Sequence, residues 1–156
     1  GQQLREKQAL KWMYGVLERQ FRRYVAEAKR RKGVTGTVLL QILESRLDNF
    51  VYRAGFATTR AQARQFVRHG HFLLNGKRIN IPSARVKAGD VIQPTEKGAA
   101  LTLIRQTLEI IHQVPRKPWI EFNPENLTAK FLATPSREDM DDVPIEEQLI
   151  VEFYSR

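Results

Sequence analysis

Residues 45–90 have the sequence SRLDNFVYRAGFATTRAQARQFVRHGHFLLNGKRINIPSARVKAGD, and this stretch decides the fold. Thr59 and Gln62 have the spacing of a capping box, in which a hydroxyl and an amide side chain satisfy the first amides of a helix. Gly70 follows at the position where such a helix would end. The stretch therefore predicts a helix over Thr59–His69, whose buried side would carry Ala63, Phe66 and Val67.

Three arginines, Arg60, Arg64 and Arg68, occupy positions i, i+4 and i+8 of that helix and form one ridge along it. Like charges at this spacing repel by roughly 0.2–0.5 kcal/mol per pair, so we expect folding alone to gain nothing from them. A polyanion lying along the ridge would reverse the sign of this energy. The alternative is a solvated polar face. The ridge favours a nucleic-acid surface.

Asn75-Gly76 lies between two short strand-like runs and is the strongest short-range signal for a β-hairpin with a type I′ turn. The predicted strands are 72–74 and 77–79. The second strand carries Lys77 and Arg78, which would project just beyond the end of the arginine helix. The hairpin therefore adds two cations to the same candidate surface.

A second helix is predicted before the arginine helix. Gly55 ends it at a position typical of a left-handed residue. With the hairpin, a turn at 87–90 and a strand at Val91-Ile92, residues 44–96 form a compact α+β module. The apolar residues that keep the helical period are Leu39, Leu43, Leu47, Phe50, Val51 and Ala54.

The flanking segments complete the predicted α+β fold class. Residues 1–43 predict a helical arm, broken near Gly15 and rich in cations. Residues 97–156 predict a helix followed by short antiparallel strands that complete the fold, with an acidic tail. The helix is predicted over Gly98–His112, and the strands over Trp119–Phe122, Ala129–Leu132 and Leu149–Phe153.

The charge balance favours a polyanionic partner. The 156 residues include 26 Lys+Arg and 17 Asp+Glu, giving a net charge of +9, although plain solubility is an alternative explanation. Residues 1–32 hold 10 basic and 3 acidic side chains, whereas residues 119–156 hold 3 and 9. The acidic tail is therefore not expected to bind the same partner as the basic part.

Several classes of protein are disfavoured by what the sequence lacks. It contains no cysteine, which excludes a disulfide framework, a thiolate metal site and a cysteine nucleophile. No apolar run approaches the roughly 20 residues of a membrane span. The first residue is Gly1 rather than Met, so we expect a further N-terminal segment to precede it.

RLDNFVYRAGFATTRAQARQFVRHGHFLLNGKRINIPS (46–83) strongly resembles the RNA-binding module of the bacterial small-subunit ribosomal protein four family. The flanks LREKQALKWMYGVLERQFRRYVAEA (4–28), KGVTGTVLLQILESRLDN (32–49) and EQLIVEFYSR (147–156) resemble the same family. The resemblance covers nearly the whole chain. The module also occurs in other RNA-associated families, but the flanks do not.

The resemblance implies a structural constituent of the small ribosomal subunit, located on the ribosome in the cytoplasm or in an organelle. It implies direct binding to 16S-type rRNA at a helix junction in the 5′ domain, early in assembly, and contact with small-subunit ribosomal protein five that helps maintain decoding accuracy. Some members hold a four-cysteine zinc site, but this chain has no cysteine, so no zinc and no other cofactor is predicted. Carried over residue by residue, the module's RNA face would include Arg46, Arg53, Arg60, Arg64, Arg68, His69, His71, Lys77 and Arg78. The rRNA-binding arm would add Lys7, Lys11, Tyr14, Arg19, Arg22 and Arg23.

Other interpretations of single residues stay open at this point. His69 and His71 could hold a metal, but no third ligand is evident, so a favourable cation at the helix C-terminus or a phosphate contact is favoured. Trp12 and Tyr14 could stack on bases or pack in a core. The cluster Glu138, Asp139, Asp141 and Asp142 could bind magnesium or face a protein partner.

Two other classes of protein use the same module. In pseudouridine synthases a catalytic Asp follows an Arg-Leu pair, as Asp48 does here, but in a separate domain. We expect Asp48 to be an exposed helical residue near Arg46 or Tyr52, and an enzyme is not predicted. Ribosome-associated rescue and heat-shock factors are the alternative function. Such factors lack the helical arm and end in a basic tail.

Overall fold

The computed structural model describes residues 1–111 and 114–155, which form two compact units. The helical unit comprises Gly1–Glu44 together with the segment from Pro135 onward, and the sheet unit comprises Ser45–Thr134. In chain order the helices are α1 (Gln2–Tyr14), α2 (Glu18–Arg30), α3 (Thr35–Glu44), α4 (Leu47–Ala54), α5 (Arg60–Arg68), α6 (Glu96–Ala99), α7 (Thr102–Ile111) and α8 (Glu147–Phe153). The strands are β1 (Phe72–Leu74), β2 (Lys77–Ile79), β3 (Val91–Pro94), β4 (Ile120–Asn123) and β5 (Thr128–Phe131).

The strands described in the sheet unit form one antiparallel sheet in the order β2-β1-β3-β5-β4. Phe72 of β1 pairs with Ile79 of β2 on one side and with Pro94 of β3 on the other. The predicted α+β fold class is confirmed. The hairpin is confirmed as well, and β4 and β5 lie within one residue of their predicted bounds.

Phenylalanine side chains form much of the core, as the apolar periods predicted. Phe21 lies in the core of the helical unit, and Phe50, Phe66 and Phe72 lie in that of the sheet unit, each at most 6% exposed. The ring of Phe50 meets that of Phe131 edge-on, with centroids 5.4 Å apart. A pair of this kind stabilises the fold by about 0.5–1.5 kcal/mol beyond its buried area.

The single helix predicted through residues 39–54 is wrong, because the chain breaks between α3 and α4. Arg46 has extended backbone angles, φ −67° and ψ 142°, and forms an isolated β-bridge with Arg85. The Ser45 carbonyl accepts a hydrogen bond from the Val86 amide at 2.8 Å. Pairing with Arg85, which is 39 residues further along the chain, therefore interrupts an apolar period that is helical on both sides.

The helix predicted over Gly98–His112 is also divided, into α6 and α7. The Thr95 hydroxyl accepts from the Gly98 amide at 3.0 Å and caps α6. The Thr95 amide donates to the carbonyl of His71 at 2.8 Å, and Gly98 lies so close to that carbonyl that a Cβ would collide with it. The contact with His71, the residue before β1, therefore fixes where α6 begins. The predicted end, His112, lies outside the described residues.

The strand predicted over Leu149–Phe153 is wrong, since α8 occupies this segment. The run of β-branched and aromatic residues suggested a strand, but a short apolar run is ambiguous between the two structures. Ile150 is fully buried, and α8 packs against α1 and α3. Gly36 permits this approach, because a Cβ there would lie 2.6 Å from the Cγ atom of Glu147.

Candidate nucleic-acid interface

The end of α5 and the β1-β2 hairpin enclose a shallow cleft of about 360 Å³. Arg68 and His69 line it from the helix, and Arg78 lines it from the hairpin. All three are exposed, and Lys77 on the same strand is exposed too. Three of the cleft's six lining residues can carry positive charge, so the cleft suits a phosphate-bearing ligand. The other lining residues are Gly70, Ile79 and Asn80.

Local sequence chemistry fixes the helix that forms one wall of this cleft. The Thr59 hydroxyl accepts from the Gln62 amide at 3.0 Å, as predicted. The Gln62 side chain reaches back one residue further than the capping box predicted, since its oxygen accepts from the Thr58 amide at 2.8 Å. Gly70 has φ +75°, which turns the chain sharply into β1.

The hairpin that forms the other wall is held by its turn. Asn75 and Gly76 have φ values of +52° and +81°, as a type I′ turn requires. The Asn75 side chain donates to Asp90 at 3.0 Å, and its oxygen accepts from the Val91 amide at 2.9 Å. The turn is therefore tied to the start of β3, which sets the position of the cations on β2.

The arginine ridge of α5 is divided between internal and external contacts. The Nε atom of Arg60 donates to the Asn49 side-chain oxygen at 2.8 Å, and its guanidinium lies 4.6 Å from the Tyr52 ring centroid. The Nε atom of Arg64 donates to Asp48 at 3.3 Å. Arg68 is exposed at the cleft. The expectation that folding gains nothing from the ridge is thus wrong for its first two arginines.

Asp48 is buried rather than exposed, which corrects the expectation for this residue. It is 1% exposed and forms a two-bond ion pair with Arg46, at 2.9 and 3.1 Å. Its Oδ1 atom also accepts from the backbone amide of Asn49 at 2.7 Å. Arg46 is itself only 5% exposed, so its guanidinium lies inside the sheet unit.

His71 and Arg53, two other predicted contacts, are half-buried. Burial lowers the pKa of His71, and the nearby positive charges of His69, Lys97 and Arg78 lower it further. The guanidinium of Arg53 lies 5.6 Å from the centroid of the Trp119 ring. His71 therefore favours its neutral form in the protein alone.

Three residues of the arm that were predicted to contact RNA form bonds within the helical unit instead. Tyr14 is 1% exposed, and its hydroxyl donates to Glu44. Lys7, 7% exposed, and Lys11 both pair with Glu18, at 2.6 and 3.1 Å. Tyr14 therefore packs in the core, whereas Trp12 is 75% exposed.

Glu18 is the centre of this network. Tyr154 donates its hydroxyl to Glu18 at 2.8 Å, and Arg22 donates at 3.2 Å. Burial alone would raise the pKa of the Glu18 carboxyl, but the hydrogen bonds from Lys7, Tyr154 and Lys11 outweigh it and lower the pKa to about 2. The carboxylate therefore stays charged and links α1, α2 and the end of α8.

The exposed cations of the arm follow one face of α2. Arg19, Arg22 and Arg23 are exposed, as a surface that meets a ligand requires. Lys29 and Arg30 continue the same stripe about two turns beyond Arg22 and Arg23, and sequence reasoning left them out of the site. Their spacing from Arg19 and Arg22 was the signal that could have included them.

The acidic segment after Pro135 is held by one arginine. Arg137 donates to the carbonyls of Met140 at 2.6 Å and Val143 at 3.1 Å, and to Glu147 at 2.8 Å. No group of three or more His, Cys, Asp or Glu side chains among residues 1–111 and 114–155 is arranged to hold a metal ion. In that same part of the chain, no helix has the length and apolar character needed to cross a membrane.

Comparison with known proteins covers both units. The S4 domain family matches residues 45–92, and the Ribosomal protein S4/S9 N-terminal domain family matches residues 1–44. A protein from Thermus thermophilus named small ribosomal subunit protein uS4 is 54% identical over 153 residues, 98% of this chain and 73% of that protein. The proteins of the same name from Rubrobacter xylanophilus and Acetivibrio thermocellus are 55% and 54% identical over the whole chain, covering 76% and 74% of their own lengths. With its basic cleft and helical arm, the chain belongs to the small ribosomal subunit protein uS4 family.

Proposed function

We propose that this chain is a structural protein of the small ribosomal subunit that binds 16S-type rRNA directly. The observation that carries the proposal is the cleft between α5 and the hairpin, where Arg68, His69 and Arg78 converge within the matched S4 domain. The sheet unit presents these groups on short, well-anchored elements. A rigid cationic cleft of this kind suits a folded polyanion.

Binding would rest on phosphate neutralisation by the exposed cations, with release of counterions from the RNA. Side chains do not reach the bases through the narrow major groove of A-form RNA. The cleft would therefore recognise the shape of a helix junction through phosphates and 2′-hydroxyl groups. Arg68, Lys77 and Arg78 are the groups that we assign to direct contact.

The arm would form a second contact with the same RNA. Arg19, Arg22 and Arg23 form an exposed stripe on α2 that suits a phosphate backbone. The buried Lys7 and Tyr14 would support this stripe rather than touch RNA, because their polar atoms already bond Glu18 and Glu44.

The proposal includes four more specific properties. The chain would bind at an RNA junction early in assembly, contact small-subunit ribosomal protein five, contribute to decoding accuracy and reside on the cytoplasmic ribosome. The exposed acidic residues Glu138, Asp141 and Asp142 make the segment after Pro135 a candidate surface for the protein partner, since it would repel RNA. The role is structural rather than enzymatic.

Co-sedimentation with small ribosomal subunits tests the proposal against a ribosome-associated rescue or heat-shock factor. A structural protein, held by many RNA and protein contacts, should stay with the subunits through a high-salt wash. A loosely held factor should appear in the wash. The helical arm, matched over residues 1–44, supports the first outcome. Release of the chain by the wash would contradict the proposal.

A further inference from the structure

Two buried polar residues at the start of α4 hold the first two arginines of α5. Asp48 and Asn49 are each 1% exposed. Asp48 accepts from the Nε atom of Arg64 at 3.3 Å, and Asn49 accepts from the Nε atom of Arg60 at 2.8 Å. The two acceptors are consecutive in sequence, and the two donors are one helical turn apart. The two pairs therefore form parallel side-chain hydrogen bonds that connect α4 and α5.

The acceptors are themselves fixed by the backbone. The Asp48 amide donates to the carbonyl of Pro82 at 3.1 Å, and the Leu47 amide donates to that of Ala84 at 2.7 Å. Arg46 completes the arrangement with its two bonds to the Asp48 carboxylate. The carboxylate therefore has little freedom to follow a moving arginine, and the arginine must adopt the carboxylate's geometry.

We infer that Asp48 and Asn49 are positioning residues for RNA binding, which hold the side chains of Arg64 and Arg60 in the orientation that a specific RNA junction requires. This inference rests on the proposed function. An arginine side chain has many rotamers, and a guanidinium that is already oriented loses less entropy when it binds. Pre-orientation should favour the RNA whose shape matches the ridge over other RNA of equal charge.

Replacing Asp48 by Asn separates positioning from simple charge, because only the loss of positioning lowers the ratio of the affinities for matching and non-matching RNA. The variant Asp48→Asn raises the positive charge beside the ridge by one, so charge alone predicts tighter binding to every RNA. Loss of positioning predicts a lower preference for the matching RNA. The expected change is on the order of a tenfold fall in the affinity ratio, equivalent to about 1.4 kcal/mol.

The experiment measures Kd by filter binding at one salt concentration, for a transcript of the 5′ domain of small-subunit rRNA and for a random-sequence duplex of the same length. The exposed Glu121→Gln is the matched control, since it changes the charge of the same unit equally. Circular dichroism and urea unfolding establish the folded fraction. An unchanged affinity ratio in folded Asp48→Asn protein would overturn the inference.

A second variant keeps the inference testable if Asp48→Asn does not fold. Arg64→Lys preserves the charge but removes the planar group that Asp48 orients, so the affinity ratio should fall severalfold. Arg105→Lys, exposed on α7, should leave the ratio unchanged. A ratio unchanged in Arg64→Lys would overturn the inference. A wild-type chain without preference for the 5′ domain transcript would instead overturn the proposed function.

Discussion

At the scale of single residues, the half-buried Glu18 and the buried Asp48 are each shared by several donors. Glu18 accepts from Lys7 and Lys11 through one oxygen and from Arg22 and Tyr154 through the other. Asp48 serves Arg46 and Arg64 in the same way. Removing such a carboxylate leaves buried cations without a counter-charge, which costs far more than losing one surface ion pair.

The pH dependence of stability should report Glu18 directly. Its pKa is lowered from 4.5 to about 2 in the folded protein, so its contribution to stability is fully present above pH 4.5. The contribution is lost as the pH falls from 4.5 through 2, and below both pKa values the folded and unfolded states bind the proton alike. Glu18→Gln should therefore destabilise the protein at pH 7, and the difference from the wild type should shrink below pH 4.5.

Urea unfolding of both proteins at several pH values measures this difference. Glu125→Gln is the control, because Glu125 is an exposed carboxylate in the turn between β4 and β5. A difference between wild type and Glu18→Gln that stays constant from pH 7 to pH 2.5 would contradict the assigned cause of the pKa shift.

Sequence patterns predicted which face of α5 carries the arginines, but they did not predict the residues that those arginines contact. Helical spacing placed Arg60, Arg64 and Arg68 on one ridge, and the structure leaves only Arg68 at the cleft. Spacing gives the face of a helix on which a residue lies, whereas a partner depends on the neighbouring element. Asp48 was expected to be exposed for the same reason, since its burial is set by α5 and by the loop at 82–84.

At the scale of elements, the hairpin turn offers the sharpest test of local structure. Asn75 has φ +52° and bonds both Asp90 and the Val91 amide. Asn75→Ala should cost about 1–3 kcal/mol in the free energy of unfolding, because it loses these bonds and places a Cβ without a polar group in a left-handed conformation.

Asn75→Gly separates the two causes, since glycine accepts the positive φ but also loses the side-chain bonds. We expect Asn75→Gly to be destabilised less than Asn75→Ala, with Asn80→Ala as an exposed control in the same region. Urea unfolding supplies the free energies. Equal stability of Asn75→Ala and the wild type would show that the turn is not held as described.

Elements with a strong local signal were predictable, and those decided by distant contacts were not. The Asn75-Gly76 turn and the Thr59 cap each have a sequence signal within four positions, and both were found from sequence, whereas the bonds of Asn75 to Asp90 and Val91 were not. The break at Ser45-Arg46 depends on pairing with Arg85, which no local pattern contains. The helix α8 was mistaken for a strand because its packing on α1 and α3 decides between the two.

At the scale of the whole molecule, the composition predicted the class of partner but not the grouping of segments. The net charge of +9 and its concentration before residue 119 favoured a polyanion. The segment from Pro135 onward belongs with α1–α3, although about 90 residues of the sheet unit lie between them in sequence. Apolar patterns show which faces are buried, but they do not show which distant segment covers them.

The salt dependence of RNA binding tests the central claim most directly. Wild-type protein and the double variant Arg68→Ala/Arg78→Ala are titrated with a transcript of the 5′ domain of small-subunit rRNA at several salt concentrations, with Arg105→Ala as the control. Each lost phosphate contact makes the negative slope of log K against log salt shallower by about 0.7–0.9, so the double variant should bind more weakly, with a slope about 1.5 smaller in magnitude. A folded double variant whose affinity and slope both match those of the wild type would contradict the assignment of this cleft to RNA.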